Sequence, residues 1–258
     1  MPLYDVADKA SDNPWVAGVD GCPAGWLVVF ARPQGSEVYL RVVSHFMDVL
    51  AAQEAPEIIV VDIPIGLPDF SELQGREPER MVRPLLGPRR SSIFRVPSRS
   101  AVYAGVNTAL PDPKERYVKA CAVARATSAD NKAFSKQGFC LFPKIVQVDQ
   151  LLSAQKQFLG RVFETHPEMA FLQLNDGTAL IESKKSDAGL AARRHLLLRA
   201  KLPAAVISEA PPKGAACDDL LDALACVVVA RRIHERSAYC FPDRPKRDSH
   251  GLRMAIWA

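Results

Sequence analysis

Trp15-Val16-Ala17-Gly18-Val19-Asp20-Gly21-Cys22-Pro23-Ala24-Gly25-Trp26-Leu27-Val28-Val29-Phe30 sets two apolar runs on either side of a glycine-rich turn that carries one acid. The pattern reads as a buried strand that ends on Asp20, turns, and re-enters the core as a second strand. Residues 37–43 supply a third strand across Pro33-Gln34-Gly35-Ser36, a turn signal, so the first three strands form an antiparallel meander. A short helix at 45–53 stops before Pro56. Residues 57–63 then run as Glu-Ile-Ile-Val-Val-Asp-Ile, the signature of a strand covered on both faces.

Beyond it, residues 64–111 dissolve into Pro, Gly, Arg and Ser, with helical character only near 77–86, and read as an Arg-rich insertion at about 67–111. Helices are expected at 113–129, 145–158, 168–174, 187–200 and 215–235, a short strand at 161–166 halted by Pro167, and an edge strand at 253–257. The sum is an α/β chain: a mixed sheet of three antiparallel strands followed by parallel strands, covered by helices on both faces. Residues 15–258 form one domain behind a flexible tail of 14 residues.

With 258 residues, 48% of them hydrophobic, the chain has material for a full core. A formal charge of +4 and a pI near 8.7 permit an anionic partner without requiring one. The six cysteines fall in no Cys-x-x-Cys pair, which argues for reduced thiols and against structural zinc. Neither a signal-like N-terminus nor a bilayer-length apolar run is present, so a cytoplasmic protein with no membrane partner is expected. The sequence leaves the oligomeric state open.

Asp20 and Asp62 each close an apolar strand, and parallel neighbours would bring both to one sheet edge, where α/β folds place ligands. Asp219 and Asp222 lie three apart on one face of the 215–235 helix. Asp218 is the natural capping residue, and a lone strand-end Asp makes a turn as readily as a site. Asp222 has no such structural excuse, because it sits a turn into an apolar helix. Together the acids repel one another unless a cation neutralises them. Oxygen-only donors suit Mg2+ or Mn2+, and two such ions held by shared carboxylates are suited to in-line attack of water on a phosphodiester.

Gly18 to Trp26, Asp62 to Pro68, Glu164-Thr165-His166-Pro167-Glu168, Asp219 to Leu224 and the ending Gly251 to Trp257 resemble, in order, the uncharacterised family described as predicted nucleases with an RNase H fold (domain of unknown function 429). The resemblance implies an RNase H-like sheet, nucleic acid as partner, and Asp20, Asp62, Asp219 and Asp222 as metal ligands. It also admits Glu164 in place of Asp62, with Asp62 then orienting the site from behind. Where the family pattern is Arg-x-x-Asp-x-x-Ala-Arg, this chain carries Arg76-Glu77-Pro78-Glu79-Arg80-Met81-Val82-Arg83.

Between residues 76 and 99, Arg76, Arg83, Arg90 and Arg99 belong to an arginine-dense stretch interleaved with Ser91, Ser92 and Phe94. Guanidinium forks suit phosphate oxygens and Phe94 suits a base, so the stretch reads as substrate-facing, with Lys184 in a second basic patch. Pairing with local acids is the alternative for any single arginine. His166 reads as a proton shuttle or as a buried, hydrogen-bonded histidine. Cys22 reads as packing, and Gly21 and Gly25 as keeping space open beside Asp20. Two other functions remain open: a phosphate- or nucleotide-binding protein of sugar-kinase/actin-like type, and a non-catalytic RNase H-like module.

Overall fold

A computed structural model describes residues 13–258. All but the last two residues of the expected tail lie outside the described residues. Strands β1 (Val16–Cys22), β2 (Gly25–Ala31), β3 (Val38–Val43), β4 (Ile58–Val61) and β5 (Val162–Glu164) form one sheet in the order β3-β2-β1-β4-β5. β1, β2 and β3 pair antiparallel, and β4 and β5 run parallel to β1. The chain is thus mixed α/β, with the expected antiparallel-then-parallel sequence of strands.

Because side chains alternate along a strand, the two faces build separate cores. One gathers Val16, Leu27, Val29, Ile58, Val60 and Phe163 under helices α6 (Pro167–Leu174), α7 (Asp187–Arg199), α8 (Ala204–Ile207) and α9 (Cys217–His234). The other gathers Ala17, Val19, Val28, Phe30, Ile59 and Val61 under α1 (Phe46–Leu50), α3 (Arg99–Gly105), α4 (Pro113–Ala126) and α5 (Lys136–Ala154).

Several expectations need correction. The insertion has the expected helix near 77–86, as α2 (Glu77–Val82), but is more regular beyond it: 3-10 turns over Arg83–Ser92, broken at Gly87, and α3 follow, and Val82, Leu86, Val96 and Val102 are buried. Helix α5 begins at Lys136, well before 145, and runs through Pro143, because Phe142, Ile145, Val146 and Leu152 bury a continuous face that outweighs the lost backbone bond. At the C-terminus β7 (Ile256–Trp257) pairs with a short β6 (Cys240–Phe241) and meets the main sheet, beside β5, only through one parallel bridge from Trp257 to Thr165. The Thr165 hydroxyl, donating to the Trp257 carbonyl at 2.6 Å, ties this ladder to the end of β5. Among the described residues no helix is long and apolar enough to cross a membrane.

Candidate functional site

Gly18 decides how close α9 comes to the sheet. A methyl group there would run into the Ala223 carbonyl and the Val227 backbone nitrogen, so the helix backbone rests directly on β1. Two residues on, Asp20 points to the same face, and the preceding turn of α9 presents Asp222. Gly18→Ala is therefore expected to push α9 outward, at a cost of about 1–3 kcal/mol. A urea unfolding series will read it, and an unchanged midpoint would refute the close approach.

Asp20 does not end its strand; β1 continues to Cys22, with Asp20 opposite Leu27. β4 pairs with β1 through Val19 and Val61. The Asp62 amide donates to the Val19 carbonyl at 3.0 Å, which carries the parallel ladder one residue past β4 and sets Asp62 in register beside Asp20. Ile58, Val60 and Asp62 share one parity, which turns Asp62 toward α9.

Glu164 has the parity of Val162, whose side chain packs in the core on the opposite face. It therefore leaves the sheet on the other face from Asp20 and Asp222, although it lines the same cavity. Its carboxylate accepts from both Arg76 terminal nitrogens, at 2.6 and 3.1 Å, and from the Ile65 amide at 2.7 Å. Of the two alternatives, Asp62 is the acid that stands with Asp20, and Glu164 is the partner of Arg76.

Asp20, 7% exposed, and Asp222, 2% exposed, lie with Asp62 at the base of a cavity of about 320 Å3. Burial, followed by the charges of Asp62 and Asp222, pushes the Asp20 carboxyl well above the usual carboxylate range. Burial raises Asp62 to about 7, against the opposing pull of Lys184. Asp222 rises to about 6, again chiefly through burial, with Lys184 opposing and Asp62 adding. Asp219 lines the same cavity, and its charge also raises Asp20. Its Oδ2 accepts from the Ala216 amide at 2.8 Å, so Asp219, not Asp218, caps α9.

Lys184 stands where the acids converge. Its Nζ donates to Asp222 Oδ2 at 2.6 Å and lies 3.7 Å from Asp218 Oδ2. Nearby, Arg193 is fully buried and pairs with Glu168 at 2.7 Å, so it adds no free charge to a basic patch around Lys184. His166 caps α6, its Nδ1 accepting from the Glu168 amide at 3.2 Å, which leaves Nε2 to donate to the Ser92 carbonyl at 3.3 Å. Both ring nitrogens are thus engaged, and burial holds its pKa down.

The arginines need the most correction. Arg76 reaches the cavity wall, but its guanidinium is committed to Glu164, Glu79 and the carbonyls of Ile65 and Gly66. Arg99 binds Asp149 at 2.9 Å and Asp248 at 2.6 Å, bracing α3 against α5 and the C-terminal segment. Arg83 donates to the Ile93 and Gln74 carbonyls, and Arg90 is exposed away from the cavity lining. Arg89, Ser92 and Phe94 of the same stretch do line it. Arg89 pairs with Glu168 at 3.2 Å, while its Nε and the Ser92 hydroxyl have no protein partner among the described residues.

Sequence reasoning missed Lys144 and Glu168. The Lys144 amine lies 4.7 Å from the centre of the Trp26 ring, donates to the Gly25 carbonyl, and feels the charges of Asp20 and Asp219. Gly21 makes room for its stem: a methyl there would sit 2.6 Å from Lys144 Cδ, so Lys144 takes the space on that side, while the cavity that Asp20 and Gly21 both line stays open. Nothing in Leu141-Phe142-Pro143-Lys144-Ile145 signals this, since Gly25 is 119 residues away. Glu168 was visible only as part of the Glu-Thr-His-Pro-Glu motif.

Among the described residues no group of three or more His, Cys, Asp or Glu side chains stands ready to hold a metal ion. The donor chemistry nevertheless suits a hard dication: three mutually repelling acids, Asp20 and Asp222 buried and Asp62 partly so, of which Lys184 ion-pairs with one. No curated protein and no solved structure matches the chain. A family model matches residues 18–247, a span that opens on the glycine beneath α9 and takes in every acid of the site. The chain therefore belongs to the family described as protein of unknown function (DUF429).

Proposed function

We propose that this chain is a metal-dependent nuclease of RNase H-like fold, hydrolysing phosphodiester bonds of nucleic acid with Mg2+ or Mn2+. The observation that carries the reading is the convergence of Asp20, Asp62 and Asp222 on one face of the sheet at the base of a single cavity. The strand order, with three antiparallel strands followed by two parallel ones, supports the fold. Asp20, Asp62 and Asp222 would hold the cation, which when bound supplies Lewis acidity toward a phosphoryl oxygen. Lys184 and Arg89 offer positive charge to the phosphate, and Phe94 offers a face to a base.

End-labelled single-stranded, duplex and branched DNA and RNA, incubated with the full chain in Mn2+ or Mg2+, will report cleavage. Products that vanish in EDTA are expected for at least one substrate. Binding without cleavage of any of them would replace the reading with the non-catalytic module, which the Lys184–Asp222 ion pair favours.

A further inference from the structure

We propose that Lys184 is a resident second cation of the site, so that Asp20, Asp62 and Asp222 take one divalent ion and not a pair. The inference rests on the metal reading above and narrows it. A two-ion site needs two dications among shared carboxylates. Here the ammonium of Lys184, bonded to Asp222 at 2.6 Å, already fills one of those places.

The lysine is built in. Its turn between α6 and α7 is closed by the Ser186 amide and hydroxyl, both donating to the Ser183 carbonyl, at 3.0 and 2.8 Å. Ser186 also caps α7, accepting from the Gly189 amide at 3.1 Å. Beneath it the fully buried Arg193 donates to the Glu182 and Gly189 carbonyls while paired with Glu168. The backbone on either side of Lys184 is thus fastened to α7, and through Glu168 to α6.

Charge points the same way. Glu164 is matched by Arg76, and Glu168 by Arg193 and Arg89. Asp219 gives an oxygen to the α9 cap. At the cavity base, Asp20, Asp62 and Asp222, once ionised by taking up a cation, carry three negative charges; less the lysine they leave two, which one dication balances. A second dication would set two positive charges in excess at the cavity base, against only the half-buried Asp218 and Asp219.

Mn2+ titration of the full chain, followed by calorimetry and by the electron paramagnetic resonance of unbound Mn2+, tests this without reference to activity. Wild type is expected to bind a single ion. Lys184→Met keeps the stem and deletes the charge, and is expected to bind a second ion or to tighten the first by at least about tenfold. Lys184→Arg keeps the charge and should retain single-ion binding, which guards against a folding defect in the methionine variant. Two ions on wild type, or a Lys184→Met chain with wild-type stoichiometry and affinity, would overturn the inference and leave the metal reading standing. No Mn2+ on any of the three chains would overturn both.

Discussion

Asp20→Asn is expected to lower cation-dependent cleavage by about 10²–10³-fold, the order of loss when one fixed electrostatic partner of a transition state is removed. The fold should not suffer. Asp20 is buried beside Asp62 and Asp222, and its carboxyl is pushed well up by burial and by their charges. Asparagine removes one member of that repulsion at nearly constant shape. The melting temperature in EDTA should therefore rise, by about 2–4 °C for each kcal/mol relieved.

The sign follows from linkage. Asp62 at about 7 and Asp222 at about 6 both lie above the ordinary value of 3.8, so the native chain holds protons that the unfolded chain releases. Their contribution is fully present below about 3.8 and is lost as pH rises through 6 to 7. Wild type should become more stable as pH falls from about 7 toward 4, and Asp20→Asn should flatten that slope. A variant that melts well below wild type at pH 7 would instead make Asp20 a structural residue.

Arg76→Met is expected to cost about 3–5 kcal/mol, the largest loss of stability from any single change considered. The guanidinium is almost entirely buried, lies 2.6 Å from both Glu79 and Glu164, and also serves the carbonyls of Ile65 and Gly66. Its removal strands two buried carboxylates that share this one guanidinium. Glu164→Gln in the Arg76→Met background should restore part of the loss, by neutralising one of them. Urea denaturation of the two single variants and the double will measure the coupling. A single-variant cost under about 1 kcal/mol would mean that water relieves the carboxylates, against the burial described.

The sheet was legible because its strands are short apolar runs bounded by turn residues, and β1 and β4, being parallel neighbours, bring Asp20 and Asp62 to one edge as expected. Helix α9 was legible from its length and its apolar middle. Parity could also have separated Glu164 from Asp62, since Val162 and Glu164 flank Phe163 on the opposite side; the position at a strand end drew attention instead. The arginines were not legible. Whether Arg99 meets phosphate or Asp248 depends on a partner 149 residues away, and nothing near it in sequence marks that pairing. Lys144 was hidden for the same reason, and Pro143 concealed the first turns of its helix.

The resting of α9 on Gly18 also sorts the site by cooperative unit. β1 and α9 are buried along almost their whole length, so Asp20 and Asp222 belong to the part of the chain that opens last. Lys184 stands on a turn whose neighbours Ser183 and Lys185 are exposed. The acids and their counter-ion thus belong to segments of different local stability. Amide exchange in the mostly exposed 182–186 turn is therefore expected to run ahead of that in β1 and α9, with the Ser186 and Arg193 bonds setting how far ahead.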